Sequence, residues 1–197
     1  MLYIAEQMYQ TGRQIRKLCI IDEAWKLLKG DNQAAQAFIE GGYRTSRKHE
    51  GAFVMIAQSL MDFQMSQEAT VAWENSAYKF ILSQGSGALE AFVKQKPNFL
   101  NAYEQQLVSG FVKAETAKFS EFLLCAGDCR TAHRLFVDPI SRILYSSKGP
   151  EVEAVKAYQA AGMSLFAALK QVATDRFPDE MATLFGRESP LAAGGAS

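Results

Sequence analysis

Three short apolar runs mark the first half of the chain, and each ends in polar residues. Residues 18–22, "LCIID", close on Asp22 with Glu23 next, "AFVMIAQS" (52–59) ends in Gln58 and Ser59, and "YKFILSQ" (78–84) ends in Ser83 and Gln84. Runs of this length, apolar at nearly every position, read as strands covered on both faces. Between them the spacing changes to that of helices. Leu2, Ala5, Met8 and Tyr9 predict a first helix with Gly12 as its stop. Ala34, Ala35, Phe38, Ile39 and Tyr43 predict a second, capped by Asp31 and ending in the basic run Arg44–Lys48. A third is expected over 66–75, and 86–116 reads as helical with a break at Pro97. Strands alternating with helices predict an open α/β sheet.

The texture then changes. "KFSEFLLC" and "TAHRLFVDP" flank the turn-rich "AGDCR" and predict a β-hairpin. "SRILYSS" is a candidate further strand. A helix is expected over 151–174, with Val152, Val155, Leu165, Phe166, Leu169 and Val172 near one face. Residues 176–197 read as a flexible tail.

Composition narrows the function classes. In 197 residues, Lys and Arg total 21 and Asp and Glu total 21, so no global field draws in nucleic acid or anionic membrane. Three cysteines fit a reducing compartment better than a disulfide scaffold. The amino terminus lacks the form of a signal peptide, and no apolar run approaches the roughly 18 residues of a membrane span. A soluble, cytoplasmic chain is expected. Cys125, Cys129 and His133 recur every four residues, but in a hairpin that spacing does not converge on a metal. His49 has no partner in sequence and is expected at the surface.

In an open α/β sheet, ligands bind at the carboxyl ends of the strands. Asp22–Glu23, Gln58–Ser59 and Ser83–Gln84 would collect along that edge. Phosphoanhydride hydrolysis needs an acid for the magnesium shell and a second group to orient or deprotonate water. Adjacent acids after a buried strand meet that need, and a glutamine on the next strand can hydrogen-bond the water or the γ-phosphate. The plainer alternative is that Asp22 only caps the following helix.

The ordered set "CIIDEAWKLL", "FIEGGYRTSRKHEGAFVMIAQSLMDF", "YKFILSQ" and "SEFLLCAGDCRTAHRLFVDPISRILYSS" resembles the carboxyl-terminal half of the conjugative-transfer ATPases. These are the TraC/VirB-type motors of type IV secretion, within the hexameric RecA-like translocases. The resemblance implies a partial RecA-like P-loop NTPase sheet over residues 1–175, without its Walker-A strand, followed by a β-hairpin and helix. It implies that Asp22 orders the magnesium shell, that Glu23 is the catalytic base and that both face bound ATP. Gln58 matches the family's glutamine sensor, although Ala57 stands where threonine is more usual. Arg44 and Arg47 fall in the family's basic segment, one a candidate arginine finger toward a neighbouring subunit; Lys48 lacks the planar fork for that task.

The resemblance further implies ATP and Mg2+ as cofactors of the complete protein. The implied partners are further subunits in a hexamer, other secretion components at the cytoplasmic face of the inner membrane and, indirectly, DNA, with no insertion into the membrane itself. The phosphate loop G-x-x-x-x-G-K-[ST] is absent, because no glycine in the chain is followed by lysine. The chain therefore reads as the second half of such a domain, expected not to turn over ATP alone. Two rivals stay open: a non-catalytic, truncated interaction module of the secretion apparatus, and part of a related DNA-translocating ATPase.

Overall fold

A computed structural model describes residues 2–10, 12, 14–24, 26, 33–113 and 118–185. It is a mixed α/β structure in two compact units that divide between Leu135 and Phe136. Asp31, the expected cap of the second helix, Trp25 of "DEAW" and residues 186–197 lie outside the described residues.

The first unit opens with α1 (Leu2–Gln10), β1 (Lys17–Ile21), α2 (Gln33–Thr45) and β2 (Gly51–Met55). β1 and β2 are parallel, in register from Lys17↔Gly51 to Ile21↔Met55. The crossover α2 covers one face. Its buried residues Ala35, Phe38, Ile39 and Gly42 recur at helical spacing, and the Phe38 and Phe53 rings stand 5.4 Å apart. Gly42 is needed there because a Cβ would run into the Phe53 ring. The other face is bare: Leu18, Ile20 and Val54 are 60%, 59% and 41% exposed. The runs expected to be buried on both faces are buried on one.

α3 (Gln67–Asn75), capped by Ser66, leads to β3 (Tyr78–Leu82). The expectation that β3 continues the parallel sheet is corrected: the described strands form two sheets, β1–β2 and β3–β4–β5. β3 pairs antiparallel with β4 (Phe119–Ala126), Phe80 opposite Leu124. β4 turns into β5 (Cys129–Phe136) through Gly127 and Asp128, with Gly127 at φ 58° as the first central position of a type II′ turn demands. The hairpin thus offers β3 a ready hydrogen-bonding edge. α4 (Ser86–Gln95) and α5 (Ala102–Gly110) cover its inner face, the break between them falling around Pro97 as expected.

α3 is shared between two cores. Ala69 and Ala72 pack with Ile21, Ala24, Phe38 and Ile39, while Trp73 packs with Ile81, Phe92, Leu100, Val108 and Leu123. One helix therefore holds the parallel pair against the antiparallel sheet.

The second unit is helical. "SRILYSS" is not a strand: Asp138 accepts a bond from the Ser141 amide at 3.0 Å and Pro139 begins α6 (Pro139–Leu144). The helix expected over 151–174 is two, α7 (Gly149–Ala160) and α8 (Leu165–Arg176), parted by Gly162 at φ 94° and recapped by Ser164. The break leaves Leu165 and Phe166 exposed, while Leu169 and Val172 are buried as expected. The stretch expected as a tail begins instead with α9 (Pro178–Phe185), whose Met181 is buried beside Ile143, Leu169 and Val172. Among the described residues no helix is long and apolar enough to cross a membrane.

Candidate active site

The carboxyl ends of β1 and β2 meet. Ile56 donates its amide to the Ile21 carbonyl at 2.9 Å, and Ala24 donates back to the Ile56 carbonyl at 3.2 Å. This stitching carries the pairing past both strands, to Ile56 after β2 and Ala24 after β1, and fixes the acids opposite Gln58. The Gln58 amide (Nε2) donates to Glu23 Oε1 at 3.3 Å, joining residues 35 apart in sequence. Lys26, one helical turn beyond Glu23, forms an ion pair with its other carboxylate oxygen.

Glu23 has φ 49°, in the left-handed region that non-glycine residues seldom occupy. Its own amide donates to Asp22 Oδ1 at 2.8 Å, which stabilises that conformation and leaves the other Asp22 oxygen to face solvent. Such strain at a strand end is the kind of backbone that fold stability alone does not favour. The result is two adjacent carboxylates, one exposed and one held between an amide and an ammonium.

Past Gln58 the chain enters a 3-10 turn, Leu60–Gln64. Ser59 caps it through a bond from the Met61 amide at 3.2 Å, and Asp62 accepts from the Ser59 amide at 3.0 Å. The Leu60 amide reaches Gln84 Oε1 at 3.2 Å. The three strand ends do not share one sheet edge as expected, because β3 lies in the other sheet; two side-chain bonds, Gln58 to Glu23 and Leu60 to Gln84, link them instead.

Arg44 and Arg47 lie elsewhere. Arg44 pairs with Glu40 at 3.0 Å, and Arg47 is exposed in the 3-10 turn Ser46–His49 just ahead of β2. Because Gly51 is level with Lys17, these arginines stand at the amino edge of the sheet, a strand length of about 16 Å from the acids. Neither reaches Glu23 of its own chain. His49, expected at the surface, is half-buried and meets the Tyr9 ring edge-on at 5.1 Å. Cys125 is buried on β4, Cys129 is exposed at the start of β5, and His133 stacks on Phe122 at 5.3 Å.

The contacts of Lys26 and Gln84 were not anticipated. The i, i+3 spacing of Glu23 and Lys26 carried a signal for the first. Gln84 lay on the expected edge, but nothing in sequence pointed it at the Leu60 amide.

A family model described as "TraG P-loop domain" matches residues 1–176. Protein TraC of Escherichia coli (strain K12) is 40% identical over 186 residues, which are 93% of this chain and 21% of that protein. The structure of VirB4 of Thermoanaerobacter pseudethanolicus superposes with a TM-score of 0.56 at 27% identity, covering 70% of this chain and 36% of that one. The chain thus spans about a fifth of the curated relative it matches. With its paired acids and glutamine held at the strand ends, the chain belongs to the TraG P-loop domain family and is of the TraC/VirB4 type.

Proposed function

We propose that residues 1–175 are the carboxyl-terminal part of a RecA-like ATPase domain, in a motor that couples ATP hydrolysis to conjugative DNA transfer and type IV secretion. The observation that carries this reading is the Gln58–Glu23 hydrogen bond, which holds an amide and a candidate base together at the strand ends. Asp22 offers a free oxygen to a magnesium shell, and hard cations take such oxygens. Glu23 is placed to accept a proton from water, which Gln58 orients, once Lys26 releases part of its hold. ATP with Mg2+ supplies the phosphoanhydride to be cleaved.

The residues present fit the metal and water side of this chemistry. They do not fit the triphosphate, which needs a glycine-rich loop that no Gly-Lys pair in this chain provides. The loop comes from the remainder of a longer, TraC-like protein, and that remainder covers the bare face of β1–β2. The motor works as a hexamer at the cytoplasmic face of the inner membrane, beside other secretion components and with DNA contacted indirectly. Arg44 or Arg47 acts only on a neighbouring subunit's site, given their distance from Glu23.

The test is magnesium-dependent ATP binding and hydrolysis by the chain alone, then with the phosphate-loop half supplied in trans. The chain alone is expected to be inactive. The mixture is expected to turn over ATP, and Glu23→Gln to lower kcat by about 10²–10⁴-fold, the usual scale for a general base. Binding of the added half without any turnover would favour the non-catalytic module instead.

A further inference from the structure

We propose that Gln84 is a positioning residue for the sensor, holding Gln58 on Glu23 through the Leu60 amide; the inference rests on the reading of Gln58 and Glu23 given above. The segment that carries Gln58 is anchored on both sides. Before it, Ile56 is stitched to Ile21 and Ala24 by bonds of 2.9 and 3.2 Å. After it, three successive amides of the 3-10 turn find side-chain acceptors: Ser59 on Asp62, Leu60 on Gln84 and Met61 on Ser59. Two of these acceptors lie within the turn itself. Gln84 comes from 24 residues away, at the end of β3.

Leu60 is only 5% exposed and packs with Trp73, Ile81 and Leu89, so its amide has little access to water as a substitute partner. The Gln84 amide group is itself oriented, with Nε2 within 3.3 Å of the Ser83 carbonyl oxygen and 3.5 Å of that of Leu82. Oε1 therefore points at Leu60 rather than rotating freely. Among the described residues no hydrogen-bonded ladder joins the β3–β4–β5 sheet to β1–β2, and the Leu60–Gln84 bond spans the two near the acids. A displacement of β3 has in this side chain a direct polar path to the segment that carries Gln58.

Three proteins decide the point: the full 197-residue chain, Gln84→Ala, which removes the acceptor, and Gln84→Glu, which keeps an acceptor oxygen but exchanges the orienting Nε2 for an oxygen facing the Ser83 and Leu82 carbonyls. Exchange of the Leu60 amide and the NMR shift of the Gln58 side-chain amide are measured in each, with Glu23→Ala as the reference for a broken Gln58 contact. Gln84→Ala is expected to speed Leu60 exchange and move the Gln58 signal toward the Glu23→Ala position, and Gln84→Glu, turned away by carbonyl repulsion, to move both in the same direction. In the mixture with the phosphate-loop half, Gln84→Ala is expected to lower kcat about tenfold with KM unchanged, the scale of one lost hydrogen bond. If Leu60 exchange rises while the Gln58 signal stays in place, Gln84 serves only the turn and the proposal fails. It fails equally if the Gln58 signal moves in Gln84→Ala while Leu60 exchange does not, because the effect would then not run through the Leu60 amide. A mixture whose turnover ignores Glu23 sinks the motor reading instead, and the exchange and amide signals of the chain alone still decide for or against Gln84.

Discussion

The two small sheets of the first unit divide the labour unequally. The parallel pair β1–β2 carries the acids and Gln58, yet three of the six described residues buried in its core cluster are alanines and its outer face is open. The antiparallel sheet contributes a single residue, Gln84, to the site but packs around a core of Trp73, Phe92, Leu100, Val108, Phe111 and Leu123. Aromatic side chains bury the most area per residue, and Trp73 meets Phe63, Phe92 and Phe99 at ring distances of 5.2, 5.5 and 4.9 Å. The proposed chemistry sits on the weaker sheet, and the stronger one holds it in place. α3 is the joint, with alanines toward the site and tryptophan toward the support.

The most severe way to break this arrangement is Trp73→Ala. Truncating a buried tryptophan costs about 3–5 kcal/mol, a large part of what a domain of this size has in reserve. Urea unfolding is expected to show the loss, and both sheets are expected to melt together because α3 serves both cores. A parallel pair that survived with its hydrogen-exchange protection intact would show the two sheets to be independent. Gly42→Ala tests the weaker sheet alone. An alanine gains up to about 1 kcal/mol of helix propensity over glycine, but here the added methyl meets the Phe53 ring. Overpacking of this kind costs roughly 1–3 kcal/mol, so the clash is expected to win. A lowered urea midpoint checks it.

The same contrast explains how much could be read from sequence. The strands expected at 18–22 and 78–84 and found at 17–21 and 78–82, the hairpin and the meeting of Glu23 with Gln58 follow from apolar runs that stop at polar residues, a strong local signal. Pairing is not local. Phe80 could face a parallel neighbour or Leu124, and nothing within "YKFIL" chooses between them. Exposure of Leu18 and Ile20 was equally hidden, because the run itself is what a strand covered on both faces needs. Near the carboxyl end, "SRILYSS" offers a short apolar block, Ile143–Tyr145, that suits a strand, but Asp138 and Pro139 just ahead of it were the stronger signal for a helix start. The Leu60–Gln84 bond depends on tertiary placement and had no signature at all.

A milder probe of the parallel pair is pH. Tyr43 packs against Phe53 at 5.7 Å, and burial pushes its hydroxyl up from 10.0 to about 12. A neutral form favoured by the fold stabilises fully below the unfolded value, and that contribution fades as pH rises toward the folded one. Stability is therefore expected to fall between about pH 10 and 12 in the native chain. Tyr43→Phe is expected to flatten that part of the profile while moving the neutral-pH stability by only about 1 kcal/mol, the scale of one hydroxyl hydrogen bond. A profile that fell just as steeply in Tyr43→Phe would place the alkaline weakness elsewhere.

The smallest effect on folding is expected where the effect on association is largest. Leu18, Ile20 and Val54 form one apolar stripe across the outer face of β1–β2, and soluble surfaces seldom leave such stripes uncovered. Replacing Ile20, already 59% exposed, by lysine removes little buried area, so stability is expected to stay within about 0.5 kcal/mol. The chain alone is expected to self-associate through this face at high concentration, and Ile20→Lys to return it to a monomer by light scattering. The same substitution is expected to weaken capture of the phosphate-loop half. Loss of self-association with capture unchanged would separate the two surfaces: the stripe would be a contact between copies, and the covering of the weaker sheet would have to come from another side.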